Sequence, residues 1–186
     1  MLSKMAESLT RHLRRHNVIN EEDTDIYVYG LELLLSFFFS VSIIMLLGIL
    51  LNSIFETILF LSVFIFLRCF SGGFHAKTYW MCSLVTFSTY GISLLFSKLV
   101  SIHLIGYIIL FVIGTVILAI FAPIEHPNKK LSQTQKKKFK IWSIVLFIMF
   151  ISAGILMRDT SVGSVIFFSL ISDIILLFIK NKKQEE

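Results

Sequence analysis

Ile26 to Leu51 reads IYVYGLELLLSFFFSVSIIMLLGILL, an apolar stretch interrupted by one carboxylate, Glu32, and by no Lys or Arg. A helix needs roughly 20 apolar residues to cross about 30 Å of hydrocarbon, so this stretch is long enough to span a bilayer. Five further apolar runs follow it: Ser53–Leu67, Tyr79–Val100, Leu104–Ala122, Ile141–Met157 and Thr160–Ile179. The second is short for a span and can borrow residues from the segment Arg68–Phe74. Both prolines, Pro123 and Pro127, fall in one connection, where a helix must stop.

The whole chain repeats the pattern. Of its 186 residues 56% are apolar and 16% charged, with 19 phenylalanines, whereas a soluble domain sits near about 45–50% apolar and about 25% charged. A soluble enzyme core is excluded, and so is an extended disordered chain. Six spans leave no room for a large extramembrane domain, so residues 1–186 read as a single polytopic, all-α integral membrane domain. The two cysteines, Cys69 and Cys82, are too few for a disulfide scaffold. The net charge of +5 points to the headgroups of a lipid bilayer rather than to nucleic acid in a chain this apolar.

Residues 1–25 lack the apolar core of a cleaved signal peptide. Leu2, Met5, Ala6, Leu9 and Leu13 recur there at helical spacing, with Arg11, Arg14 and Arg15 between them. That pattern predicts an amphipathic helix lying on a membrane surface. Orientation follows from the basic residues, which concentrate on the cytoplasmic side. With the N-terminus inside, fifteen of the seventeen Lys and Arg fall inside and only Lys98 and Arg158 outside. Six spans with both termini cytoplasmic are therefore expected.

One segment is unlike a lipid-facing helix: Arg68-Cys69-Phe70-Ser71-Gly72-Gly73-Phe74-His75-Ala76-Lys77, followed by Cys82. The topology puts it on the cytoplasmic side between the second and third spans. A free thiol is mostly protonated at neutral pH, and the thiolate is the nucleophile. An imidazole beside it can take the proton and later return it to a leaving amine. Lys77 and the start of the third span would favour the thiolate by charge and helix dipole. Seven residues of continuous helix would separate His75 from Cys82 by about 10.5 Å along the axis, so a working dyad requires a break, expected between Gly72 and Lys77. Taken alone the residues leave a second reading open, with Cys82 a small buried apolar residue and His75 an interfacial one. No metal or other cofactor is indicated, since two ligands cannot close a four-coordinate zinc site.

The string Arg68-x-x-x-Gly72-Gly73-x-His75-Ala76, with Cys82 seven residues past the histidine, resembles the accessory gene regulator B (AgrB) family, integral-membrane cysteine endopeptidases of Gram-positive bacteria. The resemblance extends to chain length, to six spans and to a basic cytoplasmic loop after Ala122-Pro123, and so covers nearly the whole sequence. It implies a multi-pass protein of the bacterial cell membrane, active at the cytoplasmic face. Its partner would be a short quorum-sensing precursor peptide with an amphipathic leader and an acidic tail. By the same resemblance Cys82 forms a thioester with the precursor, His75 serves as base and then acid, and the product is a cyclic thiolactone or lactone. Arg68 matches the family's arginine as a loop-steadying or carboxylate-binding group, and Gly72 and Gly73 shape the loop. Glu125 and Asn128 are minor candidates for orienting the imidazole. Glu32 and Asp173, inside apolar spans, are candidates for function or for pairing between helices. The rival readings are a peptide exporter and a membrane scaffold without activity. Oligomeric state, a homodimer included, is left open.

Overall fold

A computed structural model describes residues 2–16, 18–20, 24–72, 79–124 and 131–184, the side chains of residues 2, 79, 80, 82 and 178–184 excepted. The described residues form seven helices: α1 (Leu2–Arg15), α2 (Thr24–Leu50), α3 (Ile54–Ser71), α4 (Tyr79–Leu99), α5 (Leu104–Phe121), α6 (Gln133–Leu156) and α7 (Ser161–Gln184). Four of them, α2, α3, α5 and α6, are long and apolar enough to cross a membrane. The chain is an all-α membrane protein by this architecture. Helix α7 is apolar from Ser161 to Leu177, while α4 carries Ser83, Thr86, Ser88, Thr89, Ser93 and Ser97.

The packing inverts the rule of soluble domains. Helix α2 buries Ser36, Ser40, Ile44 and Gly48, one residue per turn, and exposes Phe37, Phe38, Phe39, Leu46 and Ile49. Lipid tails are as apolar as these side chains, so small residues that let backbones approach face the bundle. A Cβ on Gly48 would overlap Thr57 of α3, and one on Gly114 would overlap the Phe147 ring of α6.

Helices α3 and α7 form the centre. On one side they meet α5 and α6 in a core of Val63, Leu67, Tyr107, Leu118, Phe147, Ile151, Ile166 and Leu170. On the other they meet α2 and α4 in a second core of Ile44, Phe60, Leu61, Phe64, Tyr90, Leu94, Val165 and Leu176. Hydrogen bonds tie the second compartment across its width: Thr57 Oγ1 and Tyr90 OH at 2.8 Å, and Ser40 Oγ and Ser83 Oγ at 2.8 Å.

Helix direction alternates, giving the bundle two different ends. At one end Lys98 Nζ donates to Ser53 Oγ (2.9 Å), Ser161 Oγ donates to Glu56 Oε1 (2.9 Å), and Ser164 Oγ donates to the Val100 carbonyl (3.3 Å). At the other the Ile124 amide donates to the Ser71 carbonyl at 3.0 Å, and the Phe70 ring lies 5.9 Å from that of Phe139 and 6.1 Å from that of Trp142.

The second run borrows from the polar segment as the sequence reading expects, and two other details differ from that reading. Helix α3 continues through Arg68 to Ser71, so the short second run takes four residues from the polar segment, enough for five turns. Helix α6 begins at Gln133, which puts Lys136, Lys137, Lys138 and Lys140 on its first turns rather than in a loop. The cause is a capping box: Gln135 N donates to Ser132 Oγ at 3.3 Å and Ser132 N to Gln135 Oε1 at 3.0 Å, satisfying orphan amides. Lysine is also a good helix former. Finally, α1 packs along α2. It buries Ala6 and Thr10 and leaves Met5 and Leu9 about half exposed. Close helix contact selects its small residues, not its largest apolar ones.

Candidate functional site

The polar segment singled out in the sequence lies where α3 ends and α4 begins. Helix α3 stops at Ser71 because Gly72 takes φ 72°, ψ −166°, and its amide still donates to the Arg68 carbonyl. That region of backbone space is essentially open to glycine alone. A Cβ on Gly72 would also sit 2.5 Å from the Ile124 carbonyl oxygen. The turn is thus docked on the backbone of Ile124, just past a cis Ala122-Pro123 bond. Gly72 ends helix α3, at the first position of the interval in which a break is expected.

Arg68 is half-buried, its guanidinium carbon 4.9 Å from the centroid of the Phe64 ring. Phe64 belongs to the core that α3 and α7 share with α2 and α4, so the cation lies at the edge of that core. Cys69, one position on, is an exposed free thiol. Cys82 is the fourth residue of α4, and its side chain is outside the described residues. Gly73, His75 and Lys77 also lie outside them, as do Glu125 and Asn128. Among the described residues no three His, Cys, Asp or Glu side chains are placed to hold a metal ion.

Axial positions follow from the helical rise of about 1.5 Å per residue. With the Thr57–Tyr90 hydrogen bond as origin, Cys82 stands about 12 Å along α4 toward the Gly72 end, and Arg68 about 16 Å along α3. The two lie within about one helical turn of the same level. The neighbouring Ser83 is buried and bound to Ser40 of α2, which fixes the rotation of the α4 turn bearing Cys82. The sequence reading missed this clasp. Its signal was present in Ser36 and Ser40, small polar residues four apart inside an otherwise apolar run. Glu32 is half-buried on α2, and Asp173 is buried on α7.

An apolar helical bundle, with Arg68 and the Gly72 turn at the end where the α4 turn bearing Cys82 begins, defines an all-helical membrane protein. The family model described as "Accessory gene regulator B" matches residues 3–178. The chain belongs to that family, and with it to accessory gene regulator quorum-sensing peptide processing. Two relatives from Clostridium perfringens bear AgrB-like names. One, from strain SM101 / Type A, is 27% identical over 82% of this chain and 77% of its own length. The other, from strain 13 / Type A, is 30% identical over 81% of this chain and 75% of its own. No solved structure matches the chain.

Proposed function

We propose that the protein is a six-span membrane cysteine endopeptidase, with both termini cytoplasmic, that cleaves the C-terminal tail from a quorum-sensing precursor peptide. The observation that carries the reading is the position of Cys82. It lies on α4 beside the Ser40–Ser83 clasp and within about a turn of the level of Arg68, at the Gly72 end of the bundle. Membership of a peptide-processing family supports the same assignment. So does the segregation of Lys98 and Arg158 at the opposite end, away from the lysines of α6.

In the proposed reaction His75 takes the proton of the Cys82 thiol, and the thiolate adds to a backbone carbonyl near the precursor's acidic tail. The C–N bond breaks as His75 returns the proton to the leaving amine. The N-terminal part remains on Cys82 as a thioester. An internal Cys or Ser of the precursor then attacks that thioester, freeing Cys82 and closing a thiolactone or lactone. Thioester exchange is nearly isoenergetic, so the energy of the cleaved bond is retained for ring closure provided water is kept out. Arg68, half-buried at the Gly72 end of the bundle, would offer positive charge to the acidic tail.

The test is co-expression in membranes with short precursors that carry an amphipathic leader, an internal Cys or Ser and an acidic tail, followed by mass spectrometry. Tail release and the precursor–enzyme thioester are expected to vanish with Cys82→Ala and His75→Ala and to survive Cys69→Ala. Processing by Cys82→Ala at the wild-type rate would refute the assignment and favour a transporter or scaffold.

A further inference from the structure

Two of the five histidines of the chain, His12 and His16, have no part in the peptidase reading, and both side chains are exposed. His12 lies in the last turn of α1 and His16 is the first residue past it. The His16 amide still donates to the His12 carbonyl at 3.3 Å. The helical register therefore carries through both residues, and side chains at i and i+4 share a face. Their ring centroids are 4.6 Å apart, with the ring planes at 60°.

That separation is the one a chelate requires. Two imidazoles that share one metal ion sit with each nitrogen about 2.1 Å from it and each ring centre about 1.1 Å behind the nitrogen, so angles of about 90–109° at the metal put the ring centres about 4.5–5.2 Å apart. The observed distance falls inside this range, so the backbone need not move to admit an ion. Rotation about the soft terminal torsion of each side chain then presents a nitrogen. Among the described residues no hydrogen bond or ion pair engages either imidazole.

The surroundings select the kind of ion. Met5 and Leu9, about half exposed, continue the stripe of His12 and His16 toward the start of α1, at i, i+4, i+7 and i+11. Ala6 and Thr10, on another face, are the residues that α1 buries. Arg11 and Arg15 each stand one position before a histidine, about 100° round the helix. The ligands are thus neutral nitrogens without a carboxylate on the stripe. Imidazole suits the late transition metals, whereas magnesium and calcium demand oxygen.

We propose that His12 and His16 form a bidentate site for one late transition-metal ion, of the class of Ni²⁺, Cu²⁺ and Zn²⁺, at the end of α1. Two protein ligands leave the remaining positions of the ion to water, which makes this an exchangeable surface site and not a closed structural zinc. The ion ties the last turn of α1 to the residue beyond it, so its occupancy holds that helix end against fraying. The inference is independent of the peptidase reading and uses none of its residues.

The probe is Ni²⁺, titrated by calorimetry at neutral pH into the full chain in lipid nanodiscs. The chain carries a histidine-free affinity tag, and its thiols are capped with N-ethylmaleimide. One ion is expected to be lost from the isotherm when either histidine is changed. His12→Gln and His16→Gln should each weaken it by about 100-fold, because the second imidazole binds intramolecularly. Both positions are exposed, so the fold is not at stake. His103→Gln, just before α5, should leave binding unchanged. Zn²⁺ should compete and Mg²⁺ should not, and acidification should release the ion, since a ligating imidazole must be neutral. Saturating Ni²⁺ should also slow hydrogen exchange of the residue 16 amide in the parent but not in His12→Gln. Binding that survives either substitution, loss in one variant and not the other, or an amide that ignores the ion in the parent would each overturn the proposal.

Discussion

Replacing Gly72 with alanine tests how the end of α3 is anchored. Two costs can be worked from the geometry. A non-glycine residue at φ 72°, ψ −166° carries strain on the order of 1–3 kcal/mol. The new methyl would lie 2.5 Å from the Ile124 oxygen and 3.1 Å from its nitrogen. Both are backbone atoms that cannot swing aside as a side chain would. As residues 122–124 back away, the 3.0 Å hydrogen bond from Ile124 N to Ser71 O is lost first, a further cost of about 1 kcal/mol. Together these give about 2–4 kcal/mol, or roughly 30- to 1000-fold in the population of the docked turn. The α3 helix itself is untouched, so the turn should open locally while the bundle stays folded. Amide hydrogen exchange in detergent micelles reads this directly: the Ile124 amide should exchange faster by that factor, with Leu118 and Phe147 unchanged. Gly91→Ala is the control. A Cβ there meets nothing within 4 Å, and exchange rates should hold or slow, since alanine favours helix by roughly 0.5–1 kcal/mol. Unaltered Ile124 exchange in Gly72→Ala, or equal effects of the two substitutions, would refute the reasoning.

Two further outcomes are expected. Ser40→Ala and Ser83→Ala should each lower stability in detergent by about 0.5–1 kcal/mol, because each strands a buried hydroxyl. The double variant should cost little more than one, and a thermal-denaturation cycle that finds full additivity would deny the clasp. Phe147→Ala should cost about 3–5 kcal/mol, as Phe147 is fully buried and its loss leaves a cavity between α5 and α6. Gly114→Ala should also destabilise by crowding that ring. Combining it with Phe147→Leu should recover part of the loss in the same melting assay.

How much of this was legible before the fold depended on whether the information was local. The six apolar runs are local, and helices α2 to α7 overlap them. The start of α6 was legible too, in Ser132-x-x-Gln135, but the lysines behind it read more simply as a loop. The Arg68–Cys82 motif was visible as a string and carried the family. The partner of Ser83 was not visible, since it sits on a helix 43 residues away in the chain. The placement of His75 against Cys82 falls outside the described residues.

The sequence by itself determined the membrane class, the positions of the apolar runs, the asymmetry of charge and the motif, because each depends on composition or on neighbours along the chain. Only the tertiary structure decided which faces turn inward. In a span apolar on every side the 3.6-residue period carries little signal, and lipid accepts Phe37, Phe38 and Phe39 as readily as a core would. Close packing therefore chose Ser36, Ser40 and Gly48 for the interior. It made α3 and α7 the central pair, shared by both cores. Those pairings arise from backbones approaching across the bundle, a distance over which no local pattern of residues reports.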